Sequence, residues 1–127
     1  MKVAPFLVAV ALLTACGSAA DVSGSTPSYD ITIVYWPEGP EGESVEAALQ
    51  CFPHGGTHPD PDGACAALAE NKDALEPVSD DVACTEIYGG DQVATITGSV
   101  EASFSRANGC EIARWDALEP ALVLDET

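Results

Sequence analysis

Tyr29-Asp30-Ile31-Thr32-Ile33-Val34-Tyr35-Trp36 decides the fold class. Tyr29, Ile31, Ile33 and Tyr35 fall on one side of an alternation with period two, and the run is rich in β-branched and aromatic residues. That pattern predicts a strand over 29–36. Pro37-Glu38-Gly39-Pro40-Glu41-Gly42 then reads as a turn region from its prolines and glycines. From Ser44 to Phe52, Val45, Ala47, Leu49 and Cys51 alternate with Glu46, Ala48 and Gln50. This fits a second strand with one wet face, although its alanines also suit a helix.

Pro53 to Gly63 is expected to hold no regular structure. Asp60 can cap a helix whose first position is Pro61, and Ala64 to Asn71 are good helix formers. Cys65, Leu68 and Ala69 would share its inner face. Lys72 to Val82 reads as a polar connection. Gln92–Thr97 and Val100–Ser105 read as two strands joined as a hairpin around Gly98-Ser99. Between Glu111 and Leu124 two readings stand: a helical stripe of Ile112, Trp115 and Leu118, or an edge strand over Ile112–Trp115. There is no internal repeat. Several strands and at least one helix give an α+β fold with a mainly antiparallel sheet.

At 127 residues there is room for one small domain. Lys2 followed by the apolar run Val3–Leu13 has the length of a signal-peptide core and is too short to span a bilayer. Leu13-Thr14-Ala15-Cys16 resembles the bacterial lipobox, which implies cleavage before Cys16 and lipid attachment to its sulfur. The competing reading is ordinary secretion with cleavage near Ala19-Ala20; export is expected in either case. The domain plan is therefore a signal peptide over 1–15, a lipid-anchored flexible tether over 16–28, and a folded domain over 29–127.

Setting Cys16 aside leaves Cys51, Cys65, Cys84 and Cys110. An even number in a small exported domain reads as two disulfides, with three pairings open. No tight CxxC spacing points to zinc. His54 and His58 with Asp60 and Asp62 sit among prolines and glycines without ligand spacing, so packing or solvation is the expected role. No cofactor is expected.

The chain carries 4 basic and 21 acidic residues, a formal charge of −17. That argues against nucleic acid, whose phosphates demand a basic surface. Membrane attachment would rest on the lipid at Cys16 alone. Solubility is the plain reading of the charge, and steering toward a basic partner the sharper one. Asp80-Asp81 reads as solvated surface rather than an acid/base pair, and no GxSxG nucleophile motif is present. Arg106 and Arg114 are expected to pair with neighbouring acids.

Three stretches occur together in order. They are Leu49-Gln50-Cys51 with Gly56-Thr57-His58-Pro59 and Ala64-Cys65-Ala66-Ala67-Leu68; Cys84-Thr85-Glu86-Ile87-Tyr88; and Asn108-Gly109-Cys110-Glu111. On these the chain resembles the Streptomyces subtilisin inhibitor (subtilisin inhibitor-like) family over about residues 30 to 112. The resemblance implies a five-stranded antiparallel sheet packed with one or two helices, and the pairings Cys51–Cys65 and Cys84–Cys110. The second bond would anchor a reactive loop to the end of the last strand region. It also implies a homodimer through the sheet face and an extracellular serine protease as partner, subtilisin-like or glutamate-specific.

By the same resemblance Glu86–Ile87 is the reactive bond, and Cys84, Thr85 and Tyr88 complete the loop. Asn108 and Cys110 support it. No residue of the chain would be catalytic; the serine belongs to the partner. Thr85 stands where family members often carry proline. Glu86 stands where Met, Leu or Lys is more familiar, and a carboxylate entering an apolar pocket loses hydration without a partner. Either the target has a basic or roomy wet pocket, as in a glutamate-specific endopeptidase, or binding to subtilisin-like enzymes is weakened. The other readings are a non-inhibitory cell-surface binding module on the same scaffold and, last, an enzyme. Trp115 to Thr127 lies beyond what the resemblance covers.

Overall fold

The structure, a computed structural model, describes residues 28–124. Cys16, the signal peptide, the tether before Ser28 and residues 125–127 of the expected domain lie outside the described residues.

Five strands form one antiparallel sheet in the order β3-β2-β1-β4-β5. They are β1 Tyr29–Trp36, β2 Val45–Cys51, β3 Gly55–Gly56, β4 Val93–Gly98 and β5 Ala102–Ser105; the helices are α1 Pro61–Glu70 and α2 Gly109–Leu122. The central strand is the one whose alternation was clearest. Tyr29, Ile31, Ile33 and Tyr35 are each 5 % exposed or less, while their neighbours face outward or are partly covered. Ile33 pairs with Ala47 on one side and Ile96 on the other, so three strands place apolar residues on the same face. Burial raises the Tyr29 phenol above its ordinary pKa.

The helices cover that face. Ala64, Cys65, Ala67 and Leu68 of α1 meet Trp115, Leu118, Ala121 and Leu122 of α2 in one core with Leu49, Ala94 and Phe104. Ala69, expected on the inner face of α1, is only partly buried, and Ala64 and Ala67 take that place. Asp60 caps α1 as expected: its carboxylate accepts from Gly63 N at 3.0 Å, with Pro61 in the first turn. Asn71 closes the other end. Its Nδ2 donates to Ala67 O and to Ala117 O, both at 3.1 Å, and so ties the two helices together.

Several expectations are corrected. The 53–63 segment does hold a strand: Gly55 and Gly56 pair with Gln50 and Leu49 of β2. Gly56 has φ +100°, and a Cβ there would collide with the Ala48 carbonyl, so only glycine allows this approach. The ladder continues by side chain. Thr57 N donates to Ala48 O at 2.9 Å, and Thr57 Oγ1 accepts from Ala48 N at 2.9 Å. The polar connection after α1 contains a 3-10 turn, Lys72–Leu75, whose Ala74 and Leu75 pack against the core. Val100 lies outside β5 but also packs on the core. The segment left open between helix and edge strand is helix, 14 residues long, with Pro120 tolerated in its last turn.

Both disulfides form as the resemblance implies, Cys51–Cys65 and Cys84–Cys110, with Cα–Cα separations of 5.5 and 5.3 Å. The first ties the end of β2 to α1. The second reaches the first turn of α2 rather than the end of a strand, because Asn108 starts the helix two residues before Cys110.

Candidate functional site

Between the 3-10 turn and β4 the chain runs from Ala83 to Gly90 with no regular structure. Along it Thr85, Glu86, Ile87 and Tyr88 are all exposed, Ile87 to 57 % and Tyr88 to 64 %. Ile31, Ile33, Leu49 and Ile96 of the sheet are 2 % exposed or less, and Ile87 and Tyr88 are more exposed than the other large apolar residues that reach water, Val45, Phe52 and Val82. Two adjacent large apolar residues held in water, next to an exposed carboxylate, mark a surface built for contact.

The exposed stretch is held from below at both ends by one short segment, Arg106 to Cys110. On the amino side, the Cys84–Cys110 disulfide and a 2.9 Å hydrogen bond from Gly109 N to Thr85 O fix the chain immediately before Glu86. On the carboxyl side, Gly89 N donates to Arg106 O at 2.7 Å, and Arg106 Nε donates to Gly89 O at 3.1 Å. Glu86, Ile87 and Tyr88 bridge these anchors. Hydrogen bonds on both sides, with a disulfide on the amino side, lower the entropy that the bridge has left to lose on binding.

The anchoring segment is itself rigid. Asn108 Oδ1 accepts from Glu111 N at 3.0 Å and so caps α2. This fixes the helix terminus that carries both Gly109 and Cys110. Arg106 Nη1 pairs with Asp116 at 2.9 Å, and its guanidinium lies 5.9 Å from the centre of the Trp115 ring. Arg114 pairs with Glu111, donates to Ala74 O and Ser103 O, and lies over Phe104. Both arginines therefore pair with acids, as expected. The loop contact of Arg106 was not foreseen, nor were Gly89 and Gly109 as its supports. The available signal was a rare cation four residues before a loop-anchoring cysteine. A Cβ on Gly109 would collide with Thr85 Oγ1, so the glycine in Asn108-Gly109-Cys110 is what lets the loop sit down on the helix.

The histidines lie apart from this loop. His58 is 5 % exposed; its Nδ1 accepts from Asp60 N at 3.0 Å, which leaves the proton on Nε2 to donate to Ala121 O at 3.0 Å. His54 Nδ1 meets Asp62 at 2.8 Å near the surface. Among the described residues no group of three His, Cys, Asp or Glu side chains is arranged to hold a metal ion. Thus Gly56-Thr57-His58 is scaffold: it stitches β2 to an edge strand, to the cap of α1 and to the last turn of α2.

No curated protein matches the sequence. The family model described as subtilisin inhibitor-like matches residues 31–103, more than half of the 127-residue chain. The match takes in β1 from Ile31 onward, both cysteines of the first disulfide, and Cys84 to Tyr88, and it stops before Arg106 and α2. The family is one of protease inhibitors rather than enzymes. With its sheet order, paired disulfides and propped exposed loop, this chain belongs to the subtilisin inhibitor-like family.

Proposed function

We propose that this protein is a standard-mechanism serine-protease inhibitor with Glu86–Ile87 as its scissile bond. The observation that carries the reading is an exposed Glu86-Ile87-Tyr88 bridge clamped at Thr85 and at Gly89. A protease would receive it as substrate. Its serine Oγ adds to the Glu86 carbonyl carbon, the bond to Ile87 N breaks, and the protease histidine passes the serine proton to the departing amine. Both ends stay attached to the Arg106–Cys110 segment, so the Ile87 amine remains beside the acyl group. Its return attack re-forms the peptide bond and gives the proton back to the serine oxygen. Because the amine does not diffuse away, religation competes with hydrolysis.

Glu86 sets the partner. A carboxylate is poorly received by an apolar pocket and well received by one that supplies cations or donors, so a glutamate-specific serine protease is the favoured target, ahead of a subtilisin-like one. The same residue favours the second reading, a cell-surface binding module that has kept the scaffold without tight inhibition. Titrating the purified domain against subtilisin, trypsin and a glutamate-specific protease separates them. Stoichiometric inhibition of the glutamate-specific enzyme is expected, and Glu86→Leu should shift potency toward subtilisin by about tenfold or more. No titratable inhibition of any of the three would rule the inhibitor reading out.

We further propose export and lipid anchoring at Cys16 on the outer face of the cell membrane, with residues up to Ser28 as tether. Mass spectrometry of the membrane fraction should find Cys16 as a lipid-modified amino terminus; an unmodified terminus beyond it would exclude the anchor. A homodimer through the uncovered sheet face is proposed as well.

A further inference from the structure

The two arms of the loop are held differently. The amino-side arm has a covalent tie, Cys84–Cys110, one residue before Thr85. The carboxyl-side arm has no disulfide of its own, yet it is the arm that would carry the departing amine. Its attachment converges on Arg106. The backbone carbonyl of Arg106 accepts from Gly89 N at 2.7 Å, and its Nε donates to Gly89 O at 3.1 Å, so both polar groups of one peptide residue are satisfied by a single arginine. The guanidinium is held in place: Nη1 binds Asp116 at 2.9 Å and its plane lies beside Trp115. The Arg106 side chain is largely buried, 21 % exposed. Gly89 also rests on α2, where a Cβ would press on Ile112 Cδ1 at 2.8 Å.

We propose that Arg106 is a positioning residue that retains the amine side of the reactive bond, acting on the leaving arm as the Cys84–Cys110 disulfide acts on the acyl arm. The proposal rests on the inhibitor reading for its purpose, while its physical content, a Gly89 arm locked by Arg106, is measurable without a protease. A planar guanidinium suits the task because Nε and Nη1 point in fixed, different directions and can hold a loop carbonyl and a helix carboxylate at once. When the Glu86–Ile87 bond is cut, the new amine lies two residues from the Gly89 clamp. Its excursion is then limited to the Ile87-Tyr88 stub, which keeps its local concentration at the acyl group high.

The test uses the folded domain with Arg106→Met, and with Asp116→Asn as a gentler variant that leaves Arg106 and its contact with Trp115 in place. Three quantities are read: the melting temperature, the amide hydrogen-exchange rate of Gly89, and the ratio of intact to cleaved domain reached from both sides with catalytic amounts of an inhibited protease. Arg106→Met should speed Gly89 exchange and move the ratio toward the cleaved form by about tenfold or more, as loss of a hydrogen bond to a charged group implies. Asp116→Asn should move both in the same direction by less. A purely structural role would lower the melting temperature while leaving the intact-to-cleaved ratio unchanged, and that result overturns the proposal. If Arg106→Met does not fold, Asp116→Asn decides alone, on the same two readouts. If the native domain inhibits no protease, the inhibitor reading fails, and Gly89 exchange in the variants still decides the clamp: faster exchange supports it, unchanged exchange refutes it.

Discussion

Gly109 has no side chain at the point where one would strike Thr85 Oγ1, and its amide holds the Thr85 carbonyl. It sits at the start of α2, where alanine is well tolerated by the helix itself. Gly109→Ala is therefore expected to leave the fold intact, with a melting temperature within a few degrees of the native value. The added methyl must displace the Thr85 hydroxyl and crowd its Cβ beside Glu86, so inhibition should weaken by about tenfold while the helix gains slightly. Parallel measurement of inhibition constant and thermal midpoint checks both halves. Unchanged inhibition would mean that the loop does not depend on contact with the helix end. Thr85 belongs to the same point: the chain holds this position by a hydrogen bond and close packing on Gly109.

Among the elements, what could be read in advance depended on how many side chains reported on each. In β1 four consecutive alternations placed Tyr29, Ile31, Ile33 and Tyr35 inward, and all four are buried. The β4–β5 hairpin was legible for the same reason, within a residue or two at its ends. β3 was not, because its two glycines have no side chains to alternate and its pairing depends on backbone approach to Ala48. α2 was ambiguous because Ile112, Trp115 and Leu118 alone suit either reading. The Asn108 cap and the continuation of the stripe to Ala121 and Leu122 resolve it as helix. The candidate loop was found through its cysteines and its resemblance to a family, not through periodicity. The Arg106–Gly89 clamp was invisible, because a side-chain bond to a carbonyl 17 residues away exists only once the sheet and helix have brought both ends together.

Considered whole, the molecule has two layers and one uncovered sheet face. Helices and core occupy the inner side; the outer side presents Val34 and Trp36 of β1 with Val93 and Thr95 of β4, all partly buried, and an exposed Ala48 of β2. The register sets Trp36 opposite Val93 and Val34 opposite Thr95, so these side chains form a patch at the middle of the sheet. The apolar strip of Val34, Trp36 and Val93, flanked by Thr32 and Glu46 on a chain with formal charge −17, is suited to a second copy, since the long-range force between copies is repulsive and only short-range burial can overcome it. Sedimentation equilibrium of the mature domain should give twice the monomer mass. Added salt should tighten the dimer by screening that repulsion, whereas it should weaken binding to a protease with a basic site. Val34→Glu would set a carboxylate beside Glu46 on the open face of each copy and raise the dissociation constant by about a hundredfold or more. Its loop lies elsewhere in the chain, so inhibition by the resulting monomer should be retained. If Val34→Glu sediments as the native domain does, the open face is not the interface, and the apolar patch of β1 and β4 must serve another contact.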